Sequence, residues 1–291
     1  MKQALGLLKT MRPKQWTKNM FLFAALIFDG KLADPRHVLS SCIGFVLFCL
    51  VSGAVYTLND VSDLEQDKQH PKKRTRPLPA GELSPRLAVI AALSIAAGSL
   101  AAAWALDRSF ALILGGYLAL QALYLLWLKR VVLLDVMIIA TGFVLRVAGG
   151  VVLVNAARFS PWLYICMTLL ALFLALGKRR GELLLLKDNA GNHRESLGSY
   201  TVPFLDHLLS IITASTIVAY ALYTFSAPNL PENHLMMLTI PFVIYALFRY
   251  LYLIHIEGIT QAPDEVLLTD RAFQVALLLW ALTSAGIMYL C

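Results

Sequence analysis

Charged residues are scarce in this chain. Only 15% of its 291 residues are Asp, Glu, Lys or Arg, where a soluble domain carries about a quarter. With 58% hydrophobic residues and a mean hydropathy of +0.68, that scarcity excludes a soluble enzyme and a nucleic-acid-binding domain. Cysteine is scarce too. Cys42, Cys49, Cys166 and Cys291 lie in apolar segments or at the very end, with neither metal spacing nor a pairing pattern. A disulfide-built secreted module is therefore excluded. The six histidines show no ligand spacing, and no Ser/Gly-rich linker separates two domains. No small-residue cleavage site follows Lys9, Arg12, Lys14 and Lys18, so no cleavable signal peptide is expected.

What is present instead is a series of apolar blocks of roughly 18 to 24 residues, the length that spans a bilayer as a helix. They fall at about 16–33, 38–59, 84–106, 109–128, 132–154, 161–178, 204–226, 235–256 and 270–290. The expected fold is an all-α integral membrane protein of about nine transmembrane helices, a single domain over residues 1–291. The first span is the weakest, because its apolar run is short before Asp29 and needs Trp16 as an interfacial anchor.

Nineteen basic residues fall on one side of these spans and four on the other (Lys31, Arg36, Arg108 and Arg158), with Arg146 and Arg249 inside. The net charge of +7 thus sits mostly in loops of one sign. Basic loops stay cytoplasmic. The expected topology is a cell (inner) membrane protein with its N-terminus cytoplasmic and its C-terminus outside. Two long connections, 60–83 and 179–203, lie on the cytoplasmic side, whereas the opposite side has tight turns such as Asp107-Arg108. Long loops tend to carry function, so the site is expected at the cytoplasmic rim.

That rim holds Asn59-Asp60-Val61-Ser62-Asp63-Leu64-Glu65-Gln66-Asp67. Asn59, Asp63 and Asp67 are four apart and would stack on one face of a continued helix. Oxygen side chains on one stripe repel unless a hard cation neutralises them. Mg²⁺ suits such a set, taking one or two carboxylates and completing its shell with phosphate oxygens. Asp60 is a weaker ligand candidate, and a solvated acidic helix end is the bland alternative. After it come Lys72, Lys73, Arg74, Thr75, Arg76 and Pro77. Arg74 and Arg76, two apart before a proline-stiffened turn, can point one way, and guanidinium forks suit phosphate. Lys72 and Lys73 need be no more than positive-inside charges.

The Asn59-x-x-x-Asp63-x-x-x-Asp67 motif at the end of the second of nine spans resembles that of the UbiA superfamily of intramembrane prenyltransferases. Within it, Met11 to Asn19, Lys73 to Pro77, Tyr124 to Arg130 and Gly177 to Leu183 are similar to the decaprenyl-phosphate phosphoribosyltransferase branch. The likeness covers roughly residues 10–200. It implies a helical bundle around a central cavity open to lipid, with a diphosphate held through Mg²⁺ at the cytoplasmic rim. Prenyltransferases of the superfamily usually carry a second acidic motif after the sixth helix. This chain has Lys178-Arg179-Arg180-Gly181-Glu182 there, then Asp188. A basic cluster in place of a second metal motif demands more negative charge from the ligand, and phosphoribosyl diphosphate supplies it through its 5-phosphate. An interfacial stop signal is the simpler account of the same three cations.

Charges inside spans usually face a cavity or a partner. Asp135 and Arg146 in the fifth span are about three turns apart and share a face. Arg146, the deeper of the two, is the better candidate for a phosphate, whereas Arg249 has the option of snorkelling. Tyr124 and Lys129 end the fourth span at the same rim, and His193 is the one histidine placed near it.

The expected reaction is Mg²⁺-dependent transfer of a phosphoribosyl group from phosphoribosyl diphosphate to a polyprenyl phosphate lying in the bilayer. Asn59, Asp60, Asp63 and Asp67 would hold the metal. Lys14, Lys18, Arg74, Arg76, Tyr124, Lys129, Arg146, Lys178, Arg179 and Arg180 would surround the phosphates, with Asp63, Asp67, Lys18 and Arg146 closest to the chemistry. A prenyltransferase acting on an aromatic or other acceptor is the rival enzyme. A transporter or lipid-binding membrane protein is disfavoured by the one-sided charged loops and by the lack of charged or broken-helix sites near the midplane in both halves. No nucleic-acid partner is expected, and the oligomeric state stays open, a homo-oligomer included.

Overall fold

The computed structural model describes residues 2–69, 73–156, 161–186, 195–227, 230–260, 266 and 269–290. Lys72, Arg158, His193 and the middle of the 179–203 loop lie outside the described residues. The expected all-α class is borne out: helix accounts for 85%, with no strand among the described residues. In lipid every backbone polar group must find its partner within the segment, which leaves helices as the economical answer for apolar blocks. Seven helices among the described residues are long and apolar enough to cross a membrane. The chain falls into two compact units.

The first unit comprises Met1–Ile27, Lys31–Leu128 and Leu145–Ala156. It contains α1 (Lys2–Thr10), α2 (Ala24–Phe28, in part), α3 (Pro35–Ser62), α4 (Leu64–Gln69), α5 (Pro85–Leu106), α6 (Arg108–Leu126) and the last turns of α7 (Leu134–Leu153). Helix α3 starts where Asp34 caps the Arg36 N–H with Pro35 in the first turn, and α6 starts where Asp107 accepts from the Phe110 N–H. Its core joins Leu22, Phe48, Val51, Phe110, Leu114, Tyr117 and Leu153. Phe48 meets the edges of Phe110 and Tyr117 at centroid distances of 5.8 and 5.5 Å. In a membrane such packing, rather than escape from water, supplies the attraction between helices.

Residues 16–33 depart from the expected single crossing. A 3-10 helix, Pro13–Phe23, passes into the five-residue α2. Such helices seldom exceed about 3–4 residues, and this one runs for 11. Its polar residues Lys14, Gln15, Thr17, Lys18 and Asn19 deny it the apolar length of a span. Packing holds it in place. Arg12 enters it with a left-handed φ of 54°, and the Leu22 carbonyl lies so close to Gly150 that a Cβ there would sit 1.9 Å from it.

The second unit comprises Phe28–Gly30, Lys129–Val144 and Ala157–Cys291. Here α8 (Pro161–Leu186) packs on α9 (Val202–Ser226), and α10 (Ile240–His255) on α11 (Arg271–Leu290). The core gathers Val136, Phe173, Leu176, Leu205, Leu209 and Tyr250, with Phe173 edge-on to Tyr250 at 5.2 Å. Polar bonds tie its helices together as well. The Trp280 Nε1–H donates to the Tyr220 hydroxyl at 2.6 Å, and Tyr220 bonds Thr239 at 2.6 Å. Arg249 resolves into a partnered charge: its Nη2 lies 2.8 Å from Asp270 Oδ2, and its guanidinium lies over the Tyr252 ring.

Candidate active site

Helix α3 ends at Ser62, Asp63 caps it, and α4 then carries Asp67. The acidic stripe keeps its four-residue backbone bonds across the turn at Asp63, from the Asp63 N–H to the Asn59 carbonyl at 2.9 Å and from the Asp67 N–H to the Asp63 carbonyl at 2.8 Å. It sorts into two pairs. The Asn59 Nδ2–H donates to Asp63 Oδ2 at 3.1 Å. Asp60 and Asp67, only 1% and 2% exposed, share a single cation, with Arg76 Nη1 3.2 Å from Asp60 Oδ1 and 2.8 Å from Asp67 Oδ2. Buried carboxylates demand such partners. Asp60 also accepts from Arg12 Nη2, and Lys73 Nζ lies 3.4 Å from Asp67 Oδ1. Arg12 is held over the Tyr56 ring, 5.1 Å from its centroid.

Sequence reasoning ranked Asp60 below its neighbours and missed Arg12 as its companion and Lys73 as that of Asp67. The one available signal was Arg12's place inside the Met11 to Asn19 segment. Lys14 and Arg74 are exposed, and Lys18 and Tyr124 are half-buried.

The donor set fits a hard cation. It offers two buried carboxylates close enough to share one guanidinium nitrogen, with an amide-carboxylate pair beside them in sequence. Among the described residues no three acidic, histidine or cysteine side chains form a ready-made cage. A Mg²⁺ ion held here by Asp60, Asp63, Asp67 and Asn59 would complete its shell from a ligand's phosphate oxygens.

Arg146 is 5% exposed and heavily partnered. Its Nε–H donates to Asn19 Oδ1 at 2.7 Å and its Nη2–H to the Tyr117 hydroxyl at 3.0 Å. Asn19 passes the network on to Ser52 Oγ at 3.2 Å. These bonds clamp the 3-10 helix that carries Lys14 and Lys18, and no periodicity in the sequence announced them.

In the second unit the Lys178-Arg179-Arg180 cluster proves unequal. Lys178 is exposed, whereas Arg179 and Arg180 are buried. Arg179 Nε donates to Asp135 Oδ2 at 2.7 Å and its Nη1 to Glu182 Oε2 at 2.6 Å. Arg180 Nε donates to Asp206 Oδ1 at 2.5 Å. Asp135, fully buried, also accepts from the Tyr200 hydroxyl at 2.8 Å. Burial, and then that bond, push the Tyr200 hydroxyl well above the ordinary tyrosine range. Lys129 is half-buried in the short 3-10 helix Leu128–Arg130.

Residues 20–289 match a sequence model of the UbiA prenyltransferase family. The chain belongs to that family. It is accordingly a membrane transferase of the UbiA type. It is 35% identical to a decaprenyl-phosphate phosphoribosyltransferase of Mycolicibacterium smegmatis, over 98% of this chain and 92% of the relative. A protein of the same name from Mycobacterium tuberculosis is 34% identical, over 96% of this chain and 92% of the relative. In fold the chain is similar to a UbiA homologue of Archaeoglobus fulgidus solved with GPP and Mg²⁺. The TM-score is 0.71 at 20% identity, covering 97% of this chain and 99% of that one.

Proposed function

We propose that this UbiA-family protein transfers a 5-phosphoribosyl group from phosphoribosyl diphosphate to a polyprenyl phosphate at the cytoplasmic face of the membrane. The observation that carries the reading is likeness along nearly the whole chain to relatives named for decaprenyl phosphate and phosphoribosyl transfer. The charge pattern supports it. One acidic motif stands among many cations, and the position of the usual second motif is basic. In this reading the acceptor's lipid tail lies among the membrane-spanning helices.

The acceptor phosphate is already an anionic nucleophile, so no strong general base is required. Its oxygen bonds to the anomeric carbon as the carbon–oxygen bond to diphosphate breaks, and the diphosphate departs with the electron pair. Bound Mg²⁺ would supply charge stabilisation to that leaving group. Asn59, Asp60, Asp63 and Asp67 hold the cation. Arg76, which lies between Asp60 and Asp67, is assigned to the diphosphate. Lys14, Lys18, Arg74, Lys129 and Lys178 are assigned to substrate phosphates. Alignment of the attacking oxygen and neutralisation of developing charge then carry catalysis.

The test is turnover by purified protein with phosphoribosyl diphosphate and a polyprenyl phosphate. One diphosphate is expected for each lipid modified, with activity lost in EDTA and restored by Mg²⁺. Asp67→Asn should lower kcat by about 10²-fold or more, on the scale of a lost electrostatic stabiliser. Full activity in EDTA would remove the metal from the account.

A further inference from the structure

Between Lys129 and α7 the chain makes a strained entry. Leu133 sits at a φ of 67°, a left-handed conformation that a leucine keeps only when its surroundings impose it. Those surroundings come from residues 195–200. The Leu133 N–H donates to the Tyr200 hydroxyl at 2.8 Å, and the same hydroxyl donates to Asp135 Oδ1 at 2.8 Å. Ser196 Oγ lies 3.1 Å from the Lys129 carbonyl oxygen and 3.3 Å from Asp135 Oδ2, so its proton serves one or the other. Arg179 fills the remaining side of Asp135. Asp135 and Ser196 are 0% exposed, Arg179 1% and Tyr200 3%. Both ends of the 129–133 segment are thus tied, by main-chain bonds, to one dry charge centre.

We infer that Tyr200 and Ser196 are positioning residues that aim Lys129 at a substrate phosphate by fixing the backbone of residues 129–133. The inference rests on the assignment of Lys129 to a phosphate made above. Neither hydroxyl touches substrate; each acts through Lys129. A network this dry holds a geometry to a fraction of an ångström, and misplacement of about 1 Å can cost on the order of 10²-fold in rate.

Tyr200→Phe is the decisive variant. It removes one oxygen and keeps the ring, which stacks on Phe204 at 6.4 Å. Two readouts are needed on the full-length protein in lipid. In hydrogen exchange, the Leu133 amide should exchange at least tenfold faster in Tyr200→Phe, and an unchanged rate would overturn the strap whatever the substrate proves to be. In kinetics, Lys129→Ala identifies the substrate concerned as the one whose KM rises. Tyr200→Phe should raise that same KM about tenfold with kcat within about threefold, and should add less than about twofold in the Lys129→Ala background. Ser196→Ala should behave alike with a smaller change. A full tenfold rise that persists without Lys129 would show that Tyr200 acts elsewhere and would overturn the inference. If Lys129→Ala moves neither KM, the phosphate assignment fails and takes the inference with it, while the exchange result reports separately on the strap.

Discussion

Arg179 and Lys178 are adjacent cations in opposite surroundings, the first buried against Asp135 and the second exposed. Removing Arg179 strands the buried Asp135 carboxylate, which should cost about 3–5 kcal/mol. Thermal unfolding in detergent should show Arg179→Ala strongly destabilised. Lys178→Ala should stay within about 0.5 kcal/mol of the parent, as exposed substitutions do. Its effect should appear instead as a rise in donor KM of about 10- to 100-fold, the size of a lost charge-assisted contact. Wild-type donor kinetics in Lys178→Ala would leave that residue a topological anchor only. Tyr200 adds a pH dependence with a definite sign. Below about pH 10, the ordinary tyrosine range, it is neutral whether folded or unfolded and contributes in full. Above that the unfolded chain ionises first, so stability falls as pH rises toward the raised folded value. Tyr200→Phe should remove this alkaline loss, as measured by melting temperature between pH 9 and 11.

Among the elements, the 3-10 helix Pro13–Phe23 is the one that hydrophobic periodicity could not foresee. Gly150 marks where it docks, because a side chain there meets the Leu22 carbonyl. Gly150→Ala should lose about 1–3 kcal/mol through overpacking. Gly98→Ala, in α5 with open space around it, should be neutral or gain about 0.5–1 kcal/mol from helix propensity. Equal behaviour of the two variants would show that the close approach at Gly150 is not a constraint. The same contrast explains what was legible beforehand. Apolar blocks declare span helices by length alone, and seven of them lie where expected. The acidic residues of 59–67 declared themselves by spacing. The joining of Asp60 to Asp67 depends on Arg76, with Arg12 also on Asp60, two cations distant in sequence from one another and placed only by folding. Arg180 with Asp206 and Asn19 with Arg146 were illegible for the same reason: no local rule links residues 26 or 127 positions apart.

For the whole molecule, the lopsided basic residues are the ground on which we propose a cytoplasmic rim. Cysteines introduced at Pro231 should react with an impermeant thiol reagent added outside intact cells. A cysteine at Gln69, beside the acidic motif, should not. Labelling at Gln69 from outside would reverse the orientation and move the proposed site to the other face. The central claim is the identity of the transferred group, and one competition reaction addresses it. Purified protein, Mg²⁺ and a polyprenyl phosphate are incubated with phosphoribosyl diphosphate and a prenyl diphosphate together, and the lipid fraction is weighed by mass spectrometry. The account predicts a polyprenyl phosphate heavier by one phosphoribosyl group, with the prenyl diphosphate left intact. A lipid fraction carrying only prenyl-transfer products, with phosphoribosyl diphosphate unconsumed, would contradict it.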